Sequence, residues 1–254
     1  MIHLDISAAS QPGLKREHNE DMILIDTETY RDTYTQRSFD IDAATPLIIA
    51  VADGLGGHNA GEVASEDAAR ELGAHVAALP MTLSAEELQD DLEQWFLSEH
   101  DYLKQEGIIH PEQYGMATTL AAILFYRDHI YLINCGDSRV YIYDGDIRQL
   151  SNDHSLYALT HDPQDAHVIT NCLGSGANVF IDFTDITEQI ANAKQCATLL
   201  LCSDGLTDML TDSEIAATLA VAHTAQALIE ATYAAGARDN VSVIIATLNA
   251  DSNV

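Results

Sequence analysis

An antiparallel α+β sandwich is the fold class this sequence predicts, and three observations predict it. The apolar runs come as strands, then helices, then strands, then helices and a last strand, without the regular βαβα alternation of a parallel sheet. The central strands are joined by tight turns, with Asp144-Gly145 a strong hairpin signal. The apolar runs are also short: none approaches the ~18 residues that a membrane-spanning helix needs.

Taken in order, residues 2–8 alternate weakly and read as a strand, and Met22-Ile23-Leu24-Ile25 as a second. Residues 26–44 are polar and read as a loop or irregular hairpin, before a continuous apolar strand over residues 47–52. Residues 62–79 are alanine-rich with helical spacing at Val63, Leu72 and Val76. Ser84-Ala85-Glu86-Glu87 fits a capping box. It opens a helix that places Leu88, Leu92, Trp95, Phe96, Glu99 and Leu103 near one face and stops at Gly107, with Trp95 and Phe96 as core anchors. Strands are predicted at 120–126, 130–134, 140–143, 147–150, 179–183, 197–202 and 241–248, with residues 152–176 polar and irregular. Thr211-Asp212-Ser213-Glu214 caps a further helix, and a second runs over residues 224–235 to Gly236. No repeat, linker or low-complexity stretch interrupts the chain, so residues 1–254 are expected to form one domain.

Composition narrows the function. Of 254 residues 47% are hydrophobic, enough for a sizeable core. The net charge of -29 argues against nucleic acid or an anionic membrane as main partner. Most of the acids fit a solvated surface. Cys135, Cys172, Cys196 and Cys202 form no CxxC pair and read as reduced core residues of a cytoplasmic protein. Met1-Ile2-His3-Leu4-Asp5 carries neither a basic region nor a long apolar stretch, so no secretory signal is visible.

The chemistry lies in short acidic motifs far apart in sequence: Asn19-Glu20-Asp21, Asp53-Gly54-Leu55-Gly56-Gly57-His58, Gly136-Asp137-Ser138-Arg139, Ser203-Asp204-Gly205-Leu206 and Asp239-Asn240. Asp53 and Asp204 end apolar runs, and Asp239-Asn240 opens one. Strands that bring carboxylates to one sheet edge build a set of hard oxygen ligands, which repel one another unless cations such as Mg²⁺ or Mn²⁺ intervene. Glycines after Asp53 allow a sharp turn and close approach to a metal or phosphate, though the Gly-Lys-Ser/Thr ending of a Walker loop is absent. Arg16, four residues before Glu20, is suited to bidentate phosphate capture. Singly, each motif also fits a tight turn, a charged surface turn or a helix cap. Together and in this order they point to a multi-metal hydrolase.

The ordered set, from Arg16 to Asn240, resembles the metal-dependent Ser/Thr protein phosphatases of the 2C type (PPM family). The DGxGG form followed by Gly61-Glu62-Val63-Ala64-Ser65 is similar to the bacterial branch. The resemblance implies a four-layer α-β-β-α sandwich, two packed antiparallel sheets flanked by helix pairs. It implies two Mn²⁺ or Mg²⁺ ions, with Asp53 bridging them, the Gly54 carbonyl ligating one, and Asp204 and Asp239 completing the first. Glu20 and Asp21 would hold metal-bound waters, Arg16 the substrate phosphate, and Asp137 with Asp204 the third ion of bacterial relatives. Thr118 and Thr119 match a structural Gly-x-Thr-Thr-type segment near the site. In the implied mechanism a bridging hydroxide attacks phosphorus in line, the metals and Arg16 offset charge on the phosphoryl oxygens, and no phosphoenzyme forms. The implied partners are phosphoserine and phosphothreonine proteins, opposing a Ser/Thr kinase.

Three departures stand out. Leu55 replaces a histidine that eukaryotic relatives carry as general acid, so water is expected to protonate the leaving group, with His58 in a structural hydrogen bond. Ala117 stands where glycine is usual, a small packing change. The flap segment, residues 152–178, is short, which bears on substrate specificity. Two other readings remain: a hydrolase of small phosphate esters on the same core, and a non-catalytic phosphatase-like binding module, whose mark would be loss of the metal carboxylates.

Overall fold

Apolar runs buried on both faces set the architecture. In Leu47–Ala52 every residue is buried, and alternate side chains enter different cores. Leu47, Ile49 and Val51 face a second sheet, whereas Ile48, Ala50 and Ala52 face helices. The computed structural model describes residues 2–56, 60–165, 168–194 and 196–250.

The chain begins with strands β1 (Ile2–Gln11), β2 (Met22–Ile25), β3 (Glu28–Tyr30), β4 (Thr33–Ile41), β5 (Leu47–Ala52) and β6 (Gly54–Leu55). Helices α1 (Ala60–Ala77) and α2 (Ala85–Ile109) follow, then β7 (Ala117–Thr118), β8 (Leu120–Tyr126), β9 (His129–Cys135), β10 (Arg139–Tyr143) and β11 (Ile147–Gln149). The rest comprises α3 (Leu156–Thr160), β12 (Asp182–Asp185), α4 (Thr187–Ala191), β13 (Thr198–Cys202), α5 (Asp204–Thr207), α6 (Asp212–Val221), α7 (Ala225–Ala235) and β14 (Val241–Ala250). One sheet has the order β11-β10-β13-β14-β1-β4, the other β12-β9-β8-β5-β2-β3, and β6 pairs with β7 apart from both. Every pairing is antiparallel.

Three apolar clusters correspond to the three interfaces of a four-layer α-β-β-α sandwich. Between the sheets lie Leu4, Ile6, Ile49, Ile123, Leu199, Leu201 and Ile244. Ala64, Ala68, Leu72, Leu92 and Phe96 of α1 and α2 cover the outer face of the β5–β8 sheet. Ile215, Leu219, Leu228 and Ile229 of α6 and α7 cover the outer face of the other, against Leu200, Val243 and Ile245. Full burial of each leucine, isoleucine, valine or phenylalanine among them contributes about 1.5–3 kcal/mol. The caps form as read: Ser84 with Glu87 and Thr211 with Glu214 make reciprocal capping boxes, and Gly236 ends α7 in a left-handed conformation.

Several boundaries differ from the sequence reading, each for a physical reason. Residues 26–44 hold two strands, β3 and β4. Both are edge strands and largely exposed, so they lack the apolar run that announces a buried strand. The first strand reaches Gln11, and α1 starts at Ala60. Gly107 lies inside α2, which continues to Ile109; a glycine costs only about 1 kcal/mol in a helix that packing holds. Trp95 is only partly buried, its ring edge-on to the fully buried Phe96. The strand expected at 179–183 is Asp182–Asp185, because the Asn171 side chain accepts from the Phe180 N–H and donates to its carbonyl, diverting that segment from the ladder. Residues 152–176 include the short α3, capped by Ser155. Cys135, Cys172 and Cys202 are buried free thiols, but Cys196 is exposed, being placed before β13 begins, where its Sγ reaches the Leu248 carbonyl. The reading of His58 lies outside the described residues.

Candidate active site

Register decides which strand ends meet. Met22 pairs with Ala52, so Asp21 and Asp53 stand side by side just beyond the paired ends of β2 and β5. In the other sheet Cys202 pairs with both Arg139 and Val243, which places Asp204 beyond the end of β13 next to Asp239, ahead of β14. Asp137 occupies the turn from β9 to β10, where the chain crosses between the sheets.

These carboxyls lie near enough to one another to shift one another's proton affinity. Burial, then the charges of Asp21, Asp204 and Asp137, push the Asp53 carboxyl well above its usual range, and Asp53 hydrogen-bonds Asp204. Burial also raises Asp21; the Ser203 and Ser242 hydroxyls oppose the rise, and Asp204 and Asp239 add to it. Asp137 is pushed up to about 7, mainly by burial and then by Asp204. Glu20 is raised chiefly by burial, with Arg16 and the Gly61 backbone acting against the shift.

Hydrogen bonds from both sheets hold the motifs in register. Ser203 Oγ donates to Asp21 Oδ2 at 2.8 Å and accepts from the Ser242 N–H at 3.0 Å. Asn240 Oδ1 accepts from the Glu20 N–H at 2.9 Å, while its Nδ2 donates to the carbonyls of Pro12 and His18. Thr118 Oγ1 and the Thr119 N–H donate to the Asp53 carbonyl, and Thr119 Oγ1 accepts from the Asp53 N–H. Both threonines are fully buried, so they fix the backbone that carries Asp53. Ala117 is buried in β7 opposite Leu55. Gly54 donates to the Glu20 carbonyl; a Cβ there would lie 2.2 Å from the Gly61 carbonyl oxygen, so only glycine permits this approach.

Arg16 is half-exposed, and its Nη2 donates to Asp239 Oδ2 at 2.6 Å. The residue read as a phosphate binder therefore pairs here with a residue read as a metal ligand. Among the described residues no three or more His, Cys, Asp or Glu side chains are drawn together as a finished ion cage. Asp239 is held by Arg16, and Asp53 hydrogen-bonds Asp204. The donor set nevertheless fits a hard divalent cation: it is all oxygen, and Asp21 Oδ1 and Asp137 Oδ1 are buried without a hydrogen-bond partner.

The structure places Arg16, Glu20, Asp21, Asp53, Gly54, Asp137, Asp204 and Asp239 at one end of the sandwich, beside supporting residues to which the sequence assigns no role. Ser203 and Ser65 stand in the named motifs without a role assigned to either, although Ser65 Oγ donates to the Glu20 carbonyl; Arg31 lies in no motif.

Comparison with known proteins agrees with this geometry. The Protein phosphatase 2C family profile matches residues 26–242. The serine/threonine phosphatase Stp of Listeria innocua is 33% identical over 224 residues, covering 80% of this chain and 84% of its own length. The S. agalactiae serine/threonine phosphatase superposes with a TM-score of 0.79 at 27% identity, over 96% of this chain and 98% of that one. The catalytic domain of the serine threonine protein phosphatase PstP, solved in complex with two manganese ions, superposes with a TM-score of 0.73 at 29% identity, over 98% and 100%.

Proposed function

The chain belongs to the protein phosphatase 2C family, and from that premise we propose that it is a metal-dependent protein-serine/threonine phosphatase using Mn²⁺ or Mg²⁺. The observation that carries this reading is the convergence of Asp21, Asp53, Asp137, Asp204 and Asp239, from strands of both sheets, into one partly buried cluster. Asp53, the Gly54 carbonyl, Asp204 and Asp239 would hold two cations, Glu20 and Asp21 would act through water, and Asp137 with Asp204 would take a third. When bound, the cations supply Lewis acidity toward phosphoryl oxygens and make water a stronger acid.

The remaining roles belong to the chain. Arg16 is exposed enough to present its guanidinium to a phosphate monoester dianion while its other edge stays near Asp239. Thr118, Thr119 and Asn240 hold in place the backbone that carries the ligands, so that reorganisation is confined to the carboxylate side chains. No cysteine takes part: Cys135, Cys172 and Cys202 are buried, burial pushes the Cys202 thiol up to about 12, far from a reactive thiolate, and the exposed Cys196 lies before β13, at the end opposite Asp204. Residues 1–254 are read as one catalytic domain with residues 152–178 as its flap, acting in the cytoplasm on phosphoproteins and opposing a Ser/Thr kinase. Among the described residues no helix is long and apolar enough to cross a membrane.

The test is release of phosphate from a phosphothreonine peptide with Mn²⁺ or Mg²⁺, with EDTA and Asp204→Asn as controls. Turnover lost in both controls is expected. A folded protein inactive with either metal would overturn the reading, and preference for p-nitrophenyl phosphate or nucleotides over phosphopeptides would reassign it to small phosphate esters.

A further inference from the structure

The corner between β3 and β4 carries a side chain that no motif announced. Arg31 is about seven-eighths buried and places donors on five acceptors. Its Nε donates to the Asp21 carbonyl at 3.0 Å. Its Nη1 donates to Glu62 Oε1 at 2.9 Å and Glu66 Oε2 at 3.2 Å. Its Nη2 donates to the Glu62 carbonyl at 2.8 Å and Ser65 Oγ at 3.2 Å. A guanidinium has five N–H donors in a rigid fork, and here each has an acceptor.

These acceptors belong to two pieces of chain that flank the acidic cluster. One is the backbone of Asp21. The other is the first turns of α1, which begin where Gly61 touches Gly54 and where Ser65 Oγ holds the Glu20 carbonyl. The adjacent Asp32 strengthens the same junction: its Oδ1 accepts from Asn19 Nδ2 at 2.9 Å, and Asn19 Oδ1 accepts from the Asp21 N–H at 3.1 Å. Asp32 has a positive φ of 54°, so the corner is tightly turned to place both side chains. Since β3 pairs in one sheet and β4 in the other, the corner is anchored from both sides.

We propose that Arg31 is a positioning residue of the metal site, which clamps the Glu20-Asp21 segment against the N-terminal turns of α1 and so sets the spacing between Asp21 and Asp53. It touches none of the reacting atoms. The inference rests on the metal-dependent reading of the acidic cluster. Lysine cannot replace it, because a single ammonium cannot reach the Asp21 carbonyl and α1 together.

The experiment measures Mn²⁺ affinity by electron paramagnetic resonance on folded wild type, Arg31→Met and Arg31→Lys, with thermal unfolding in EDTA beside it. Loss of a group that orients metal ligands typically weakens binding about 10–100-fold. Arg31→Met is expected to fall in that range at a temperature where it remains folded, and Arg31→Lys to be weakened at least several-fold. Should Arg31→Met not fold, Arg31→Lys alone decides. A folded Arg31 variant that binds Mn²⁺ within twofold of wild type, however much its unfolding temperature drops, would overturn the proposal, since a purely structural role moves stability alone. Failure of the wild-type chain to bind Mn²⁺ would instead overturn the function reading, and this inference with it.

Discussion

Glu99 shows how one residue outside the acidic cluster can control stability. It lies on α2, is 6% exposed, and its Oε1 is buried without a partner. Burial, with Asp67 and Glu71 of α1 adding to it and Arg70 opposing, pushes its carboxyl up to about 7 from a usual value of 4.5. The unfolded chain therefore releases this proton first as pH rises. Stability from this group is intact below about 4.5, falls between 4.5 and 7, and stays low above. Glu99→Gln should leave stability nearly unchanged at pH 4 and raise it by about 3 kcal/mol at pH 8, at roughly 1.4 kcal/mol per pKa unit. Urea midpoints of the two proteins across that range check this, and a difference that does not grow with pH removes the assignment. Gly54 is constrained by space. An added Cβ would meet the carbonyl oxygens of Gly61 and Glu20 at 2.2 and 2.5 Å, and both are backbone, which cannot swing aside. Gly54→Ala should cost about 3 kcal/mol and abolish phosphatase turnover; a variant with wild-type melting and rate would show that the loop has room to move.

Among the elements, α6 offers the control for these site variants. Thr211 Oγ1 accepts from the Glu214 N–H, and the Thr211 N–H donates to Glu214 Oε2 in return, at the start of α6. Thr211→Ala should lower stability by about 1 kcal/mol and leave kcat and KM as they are; a change in either would mean that the helix layer is coupled to the site. The same element was legible in sequence because a capping box is a local pattern of two residues at fixed spacing. So were β5, β8 and β13, whose runs are buried on both faces and need no partner to be recognised. Strands β3 and β4 were not, because an edge strand takes its identity from the neighbour it pairs with, and β4 shows only partial burial at alternate positions. The site divides along the same line. Asp53, Asp204 and Asp239 are visible because apolar strands deliver them, and their order along the chain carries the family resemblance. Arg31 acts through the backbone carbonyl of Asp21, ten residues earlier, and such a contact leaves no local pattern.

At the scale of the whole molecule, the two sheets are held together by burial and pushed apart at one end by charge. The inter-sheet apolar cluster lies behind Asp21, Asp53, Asp137, Asp204 and Asp239, so cations held at the proposed site would act on the closure of the sandwich itself. A ligand that binds only the folded state stabilises it by about 2.7 kcal/mol at 100 times its dissociation constant. In a chain of this size that is roughly 5–10 °C in Tm, at about 2–4 °C per kcal/mol. Mn²⁺ should therefore raise Tm in wild type, and EDTA should reverse the rise. Asp53→Asn separates the two contributions. It removes one member of a self-repelling set, so in EDTA at pH 8 it should melt above wild type. It also removes the carboxylate central to the proposed site, so in Mn²⁺ the order should invert, with wild type melting higher. Differential scanning calorimetry in both buffers tests this directly. If Asp53→Asn melts below wild type in EDTA as well, the carboxylate stabilises the metal-free fold through hydrogen bonding, and the account of the cluster as a strained cation receptor is wrong.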